Sequence, residues 1–221
     1  ITVPTTIPVT FTNTCGLTNP AIVNLTLRDP VTGAVCTTPC ATEVSQLCPS
    51  QIPNSTCNGG SLPGMQEYIY KGTVTFPGQC NSWTIAHQGN ARNNSVNVTS
   101  SSGQNYYFGA GLRTLNAPCN NSPTFSAQPI PYLCAGNPVS YNLATIEPDG
   151  DSLYFSLIAA KNGPGSPVPY NAGYSGTAPL PGITIDPNTG QLNFTPTTIG
   201  NFIVVVQVEE FDAAGLSLGT V

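Results

Sequence analysis

Proline and glycine, 22 of each in 221 residues, interrupt nearly every stretch long enough to form a helix. Proline removes a backbone donor and clashes with the preceding turn, and glycine loses the most conformational entropy on being fixed, so neither belongs inside helices. A helical bundle or coiled coil would need Ala, Glu, Lys and Leu at helical spacing, and that pattern is missing here. Short strands between turns remain. Charged residues are 7% of the chain, against about 25% in an ordinary soluble domain. Five basic residues against ten acidic ones give a net charge of −5, which leaves no cationic surface to neutralise phosphates. Nucleic acid is therefore not an expected partner.

No run of about 18 apolar residues could span a bilayer as a helix, and no charged-then-apolar leader stands at the start. The chain opens at Ile1 and stops at Val221, soon after a strand-like run, as expected of a piece of a longer protein. Eight cysteines stand at Cys15, Cys36, Cys40, Cys48, Cys57, Cys80, Cys119 and Cys134, with His87 the single histidine. The closest pair, Cys36 and Cys40, is spaced C-x3-C without a matching second pair, so disulfides are expected rather than zinc. Disulfides imply an oxidising, extracellular setting. Their connectivity is open, since eight cysteines allow about 105 pairings.

All eight cysteines precede residue 135, whereas Glu147, Asp149, Asp151, Asp186, Glu209, Glu210 and Asp212 follow 146. This shift places a boundary in the turn-rich stretch Ala117-Pro118-Cys119-Asn120-Asn121-Ser122-Pro123. The fold class expected is all-β: two tandem β-sandwich, immunoglobulin-like domains, 1–121 disulfide-rich and 122–221 relying on its core. Strands are expected at Tyr70 to Phe76, Val9 to Asn13, Ala21 to Leu27, Ser82 to Ala86 and Tyr106 to Leu112, from alternation or β-branched and aromatic content. Residues 36–64 read as a disulfide-tied loop. In the second part, Val139 to Ile146, Ser152 to Ile158, Gly182 to Ile185, Gln191 to Thr195 and Asn201 to Glu209 are strand candidates, the last a central one. Asp186-Pro187-Asn188-Thr189-Gly190 has the residues of a tight hairpin between Ile185 and Leu192.

No catalytic constellation stands out. A nucleophilic triad would have to use His87 as base, and Gly173-Tyr174-Ser175-Gly176 lacks the spacing of a nucleophile elbow. Glu147-Pro148-Asp149-Gly150-Asp151 sets three carboxylates at alternate positions around a glycine, where their oxygens can converge on a hard cation such as Ca²⁺. Glu209, Glu210 and Asp212 can add oxygens if the fold brings the last strand beside that turn. The same residues also suit a plain Asp-Gly turn with no ion. Six N-x-[ST] sequons occur, at Asn24, Asn54, Asn93, Asn97, Asn120 and Asn193, and Tyr106-Tyr107-Phe108 offers rings that could meet a sugar.

Several segments together carry a resemblance. They are Tyr70-Lys71-Gly72-Thr73-Val74-Thr75, Cys80-Asn81-Ser82-Trp83-Thr84-Ile85, Arg92-Asn93, Tyr106-Tyr107, Cys119-Asn120-Asn121-Ser122-Pro123-Thr124-Phe125 and Glu147-Pro148-Asp149-Gly150-Asp151-Ser152-Leu153. This run resembles a repeat module of large secreted surface adhesins of gliding Bacteroidota. Leu180-Pro181-Gly182-Ile183-Thr184-Ile185 through Gly190, Phe194-Thr195-Pro196 and Gly200 is similar to bacterial immunoglobulin-like and cadherin-like modules. The second resemblance implies structural calcium held by Glu147 and Asp149, joined by Asn121 of the linker. With Asp151 and Asp212, these complete the expected metal set.

The function expected is a non-catalytic structural or adhesive module of a large extracellular surface protein or filament. Its partners would be neighbouring modules or copies of itself, and surface glycans. The alternative is a polysaccharide-binding or glycan-cleaving accessory module.

Overall fold

The computed structural model describes residues 3–38, 40–128 and 132–221. The chain is all-β, as its proline and glycine content requires. Its strands are β1 (Thr6–Thr12), β2 (Val23–Arg28), β3 (Thr42–Glu43), β4 (Gln66–Glu67), β5 (Ile69–Lys71), β6 (Trp83–Gly89) and β7 (Tyr106–Leu112), then β8 (Thr124–Phe125), β9 (Val139–Tyr141), β10 (Thr145–Ile146), β11 (Ser152–Leu157) and β12 (Lys161–Gly163). They continue with β13 (Ser166–Pro167), β14 (Thr184–Ile185), β15 (Leu192–Phe194), β16 (Val206–Phe211) and β17 (Ser217–Thr220). Helical turns among the described residues are short 3-10 segments at Pro49–Asn54, Thr56–Asn58 and Ser101–Gly103.

One sheet dominates, in the order β11-β16-β17-β7-β6-β1-β2-β5, with the β12–β13 hairpin attached to β7. All of its pairings are antiparallel. The composition shift at 121/122 does not interrupt it, because β7 from the first segment pairs with β17 from the second, Leu112 opposite Gly219 and Gly111 opposite Thr220. Glycine is required at that seam. A Cβ on Gly111 would lie 2.8 Å from Thr220 Oγ1, and one on Gly219 would lie 2.9 Å from the Gly111 carbonyl oxygen. Arg113 reinforces the contact: its backbone N–H donates to the Leu218 carbonyl at 3.2 Å and its Nε to Ser217 Oγ at 3.0 Å.

The buried residues also come from both segments. Val98 packs with Ala160 and Val168, flanked by Tyr170, Ile203 and Val205. Fully buried Asn97 ties the same region, donating Nδ2–H to the carbonyls of Pro179 and Ile203 and accepting the Ile203 N–H. Near the amino terminus the core is aromatic, with Phe76 set edge-on to Phe11 at 5.9 Å and tilted against buried Trp83 at 4.7 Å.

Three strand expectations are corrected. The alternation from Tyr70 to Phe76 gives a strand only over Ile69–Lys71, since Gly72 passes tight against Leu25 and Phe76, just before Pro77, turns its ring into the core. Val139 to Ile146 splits at Ala144, whose φ is 48°, so β9 pairs with β15 and β10 with β8. The last central strand begins at Val206 rather than Asn201, because the 201–203 backbone bonds to Val96 and the Asn97 side chain instead. The Asp186–Gly190 hairpin is present: Ile185 faces Leu192, the Asp186 carboxylate accepts the N–H groups of Asn188 and Thr189, and Gly190 has φ 69°.

The cysteines divide evenly. Cys15 is bridged to Cys80 and Cys36 to Cys40, while Cys48, Cys57, Cys119 and Cys134 carry no bridge. An even count favours pairing, but a bridge also needs backbones about 4.4–6.8 Å apart, and these four do not meet another sulfur. Cys48, Cys119 and Cys134 are exposed.

Candidate functional site

The turn 147–151 is built around its own carboxylates. Glu147 accepts the Asp149 N–H on one oxygen at 3.1 Å and the Asp151 N–H on the other at 2.6 Å, while Gly150 takes the left-handed conformation at φ 85°. Asp149 in turn accepts the backbone N–H of Asn121 at 2.7 Å and its side-chain amide at 3.0 Å. Those bonds hold the Asp149 carboxyl below the usual carboxylate range.

One oxygen from each of Glu147, Asp149 and Asp151 lies within 4.8 Å of the others. Two oxygens that both lie about 2.4 Å from one calcium ion can be no farther apart than this, so each pair of the three meets the distance limit for a shared ion. Asp151 is shifted upward by partial desolvation and by the charges of Glu147, Asp149 and Asp212, as expected where anions crowd without a counter-charge.

Of the other residues expected to bind metal, Asn121 turns its amide N–H groups onto Asp149, and so positions that carboxylate from behind. Asp212 lies close enough to act on Asp151 through its charge, but one of its oxygens accepts the N–H groups of Ala214 and Leu216 in its own turn.

Glu210, one of the residues whose oxygens the last strand could add beside the turn at 147–151, is the most unusual group in the region. It is 1% exposed; one oxygen accepts the Asn120 amide at 2.8 Å and the other, Oε1, has no partner among the described residues. Burial pushes its carboxyl up to about 7; the Asn120 hydrogen bond opposes this, and the Glu147 and Asp151 charges add to it. The signal was in the sequence: the alternation Phe202, Val204, Val206, Val208 continues to 210 on the same face of the strand.

His87 donates its Nδ1–H to the Pro8 carbonyl, 2.7 Å away, with its ring 5.7 Å from that of Tyr106. Ser175 sits in a turn, its hydroxyl accepting the Ala178 N–H. The sequon residues Asn97 and Asn120 have their amides engaged inside the fold.

A cleft of about 1110 Å³ opens beside the far end of β7, lined among others by Arg92, Tyr106, Phe108, Phe194, Asn201 and Phe202. No protein-family model matches the chain, and no curated protein or solved structure matches it. Among the described residues, no helix is long and apolar enough to cross a membrane.

Proposed function

We propose that the chain is a non-catalytic structural or adhesive module of a large extracellular surface protein or filament, resembling the repeat modules of secreted adhesins. In this reading it consists of two immunoglobulin-like sandwich units sharing one sheet. The observation that carries it is the ladder running from β5 to β11 across both segments, which suits a part that transmits load between neighbours. Two disulfides support an oxidising compartment outside the cell. The bonding of His87 to a backbone carbonyl and of Ser175 within its own turn favours a structural role for both.

Calcium fits this reading as a structural ion on Glu147, Asp149 and Asp151, bracing the turn between β10 and β11. An ion that binds only the folded chain stabilises it by mass action: at a free concentration 100 times the dissociation constant the gain is about 2.7 kcal/mol. Unfolding followed by calorimetry at millimolar calcium should therefore give a higher Tm than in excess chelator, and an Asp149→Asn variant should lose the difference. Equal Tm values would leave a bare turn. Incubating the chain with polysaccharides and assaying for new reducing ends tests the non-catalytic reading, since turnover contradicts it.

A further inference from the structure

We propose that the cleft beside the Tyr106–Phe108 end of β7 is a binding groove for a neutral polysaccharide, with Phe108 as its exposed stacking ring. The register of β6 on β7 sets Gly89 opposite Tyr106 and His87 opposite Phe108. A Cβ on Gly89 would collide with the Tyr106 hydroxyl, so the tyrosine ring lies across the bare glycine. It sits there between His87, at 5.7 Å, and Phe108, at 5.6 Å, and the three rings form one strip. The same face of the sheet is closed at its other end, where Trp83 pairs with Leu112 and is fully buried, but here it is open, with Phe108 64% exposed.

The polar lining selects the ligand class. Among the described residues, Arg92 is the only Lys, Arg, Asp or Glu side chain lining the cleft, and its guanidinium is already engaged, donating Nε–H to the Asn105 carbonyl and Nη2–H to the Lys161 carbonyl. With no other cation among the described lining residues and a net charge of −5 on the chain, a polyanion is repelled. A cationic partner finds no carboxylate among them. The rest of the lining combines aromatic and aliphatic side chains, exposed Leu133 and Ile199 among them, with uncharged hydrogen-bonding groups: Asn93 and Asn94 exposed on the rim, and Asn201, whose amide donates to the Asn94 carbonyl. A pyranose presents a C–H face that packs on a ring and in-plane hydroxyls that pair with amides, which matches this lining. A cleft of about 1110 Å³ is just above the roughly 300–1,000 Å³ usual for small ligands, enough for several linked sugar rings.

This assignment names a ligand for the adhesive reading above and rests on it for treating the contact as binding rather than turnover. The test is affinity electrophoresis of the intact chain through gels containing laminarin, galactomannan, arabinoxylan, alginate or heparin, with reducing ends assayed in parallel. The expected result is retardation by at least one of the three neutral polymers and by neither polyanion. F108A should weaken that retardation about tenfold or more, as truncation of an anchoring ring does, with unchanged thermal unfolding because the ring is exposed. N201A provides a second, polar variant and should weaken it too. Retardation by no neutral polymer, retardation by the polyanions instead, or retention undiminished in F108A overturns the groove. So does self-association of the free chain that F108A abolishes, since the cleft would then be a contact between copies. Reducing ends released from a retarding polymer would support the groove while overturning the non-catalytic reading; failure to bind would leave that reading standing.

Discussion

Replacing Cys15 and Cys80 together by alanine is expected to lower the unfolding temperature by roughly 8–16 °C. The bridge joins residues 65 apart in sequence, and the chain-entropy relation assigns a loop of that length about 4 kcal/mol of restriction on the unfolded ensemble. A domain of this size shifts by about 2–4 °C per kcal/mol. Its position adds to the effect. Cys15 follows β1 and Cys80 precedes β6, so the bridge clamps the end of the β1–β6 pair next to the Thr12–Thr84 register, where Thr14 donates its N–H and hydroxyl to Ser82 Oγ. Cys80 is fully buried, and the variant also leaves a small cavity beside the Ser82 hydroxyl. Removing Cys36 and Cys40, only 4 residues apart, should cost about half as much by the same relation. Calorimetric scans of the two double variants check the order; a smaller loss for the Cys15–Cys80 variant would contradict it.

The second large effect is a loss of stability as pH rises through neutrality. Folding lifts the Glu210 carboxyl from 4.5 to about 7, so the folded chain holds this proton more tightly than the unfolded one. The stabilisation is fully present below about pH 4.5 and disappears as pH rises through about 7. Since a tenfold change in proton affinity is worth about 1.4 kcal/mol, the ceiling is about 3 kcal/mol. Asp151 is shifted in the same direction. Asp29, Glu43, Asp149 and Asp186 are shifted downward by hydrogen bonds, so their contributions are present above the ordinary carboxylate values and are lost in stronger acid. Stability in chelator should therefore peak in the mildly acidic range. Glu210→Gln, which keeps the shape and the polar end without the charge, should remove most of the decline on the alkaline side. Urea midpoints at about pH 5, 6.5 and 8 measure both slopes; parallel slopes in the two proteins would place the titrating group elsewhere.

Aromatic or β-branched runs bounded by turn residues, and turns with a fixed residue order, are legible in the order of residues alone, whereas alternation by itself misleads over Tyr70 to Phe76. The expected strand over Tyr106 to Leu112 is β7 residue for residue, and the hairpin at Asp186–Gly190 follows from proline, asparagine and glycine at fixed offsets. Strands that depend on distant partners are not. β17 is four residues with a glycine in it, and only the close approach to Gly111 explains why Gly219 is there. The uneven placement of cysteines and acids marks how each segment is braced, and says nothing of which strand lies beside which, so the β7–β17 seam could not be read from it. The carboxylate cluster at 147–151 is visible in the sequence because its residues are adjacent. The cleft is not, since Arg92, Phe108, Phe194 and Asn201 come together only in the folded chain.

β7–β17 pairing and the shared Val98, Ala160 and Val168 core make residues on both sides of 121/122 one cooperative unit. Differential scanning calorimetry of the oxidised chain in chelator tests it most directly. A single transition is predicted, with calorimetric and van't Hoff enthalpies equal. Two separable transitions, the second reproduced by residues 122–221 alone, would contradict it.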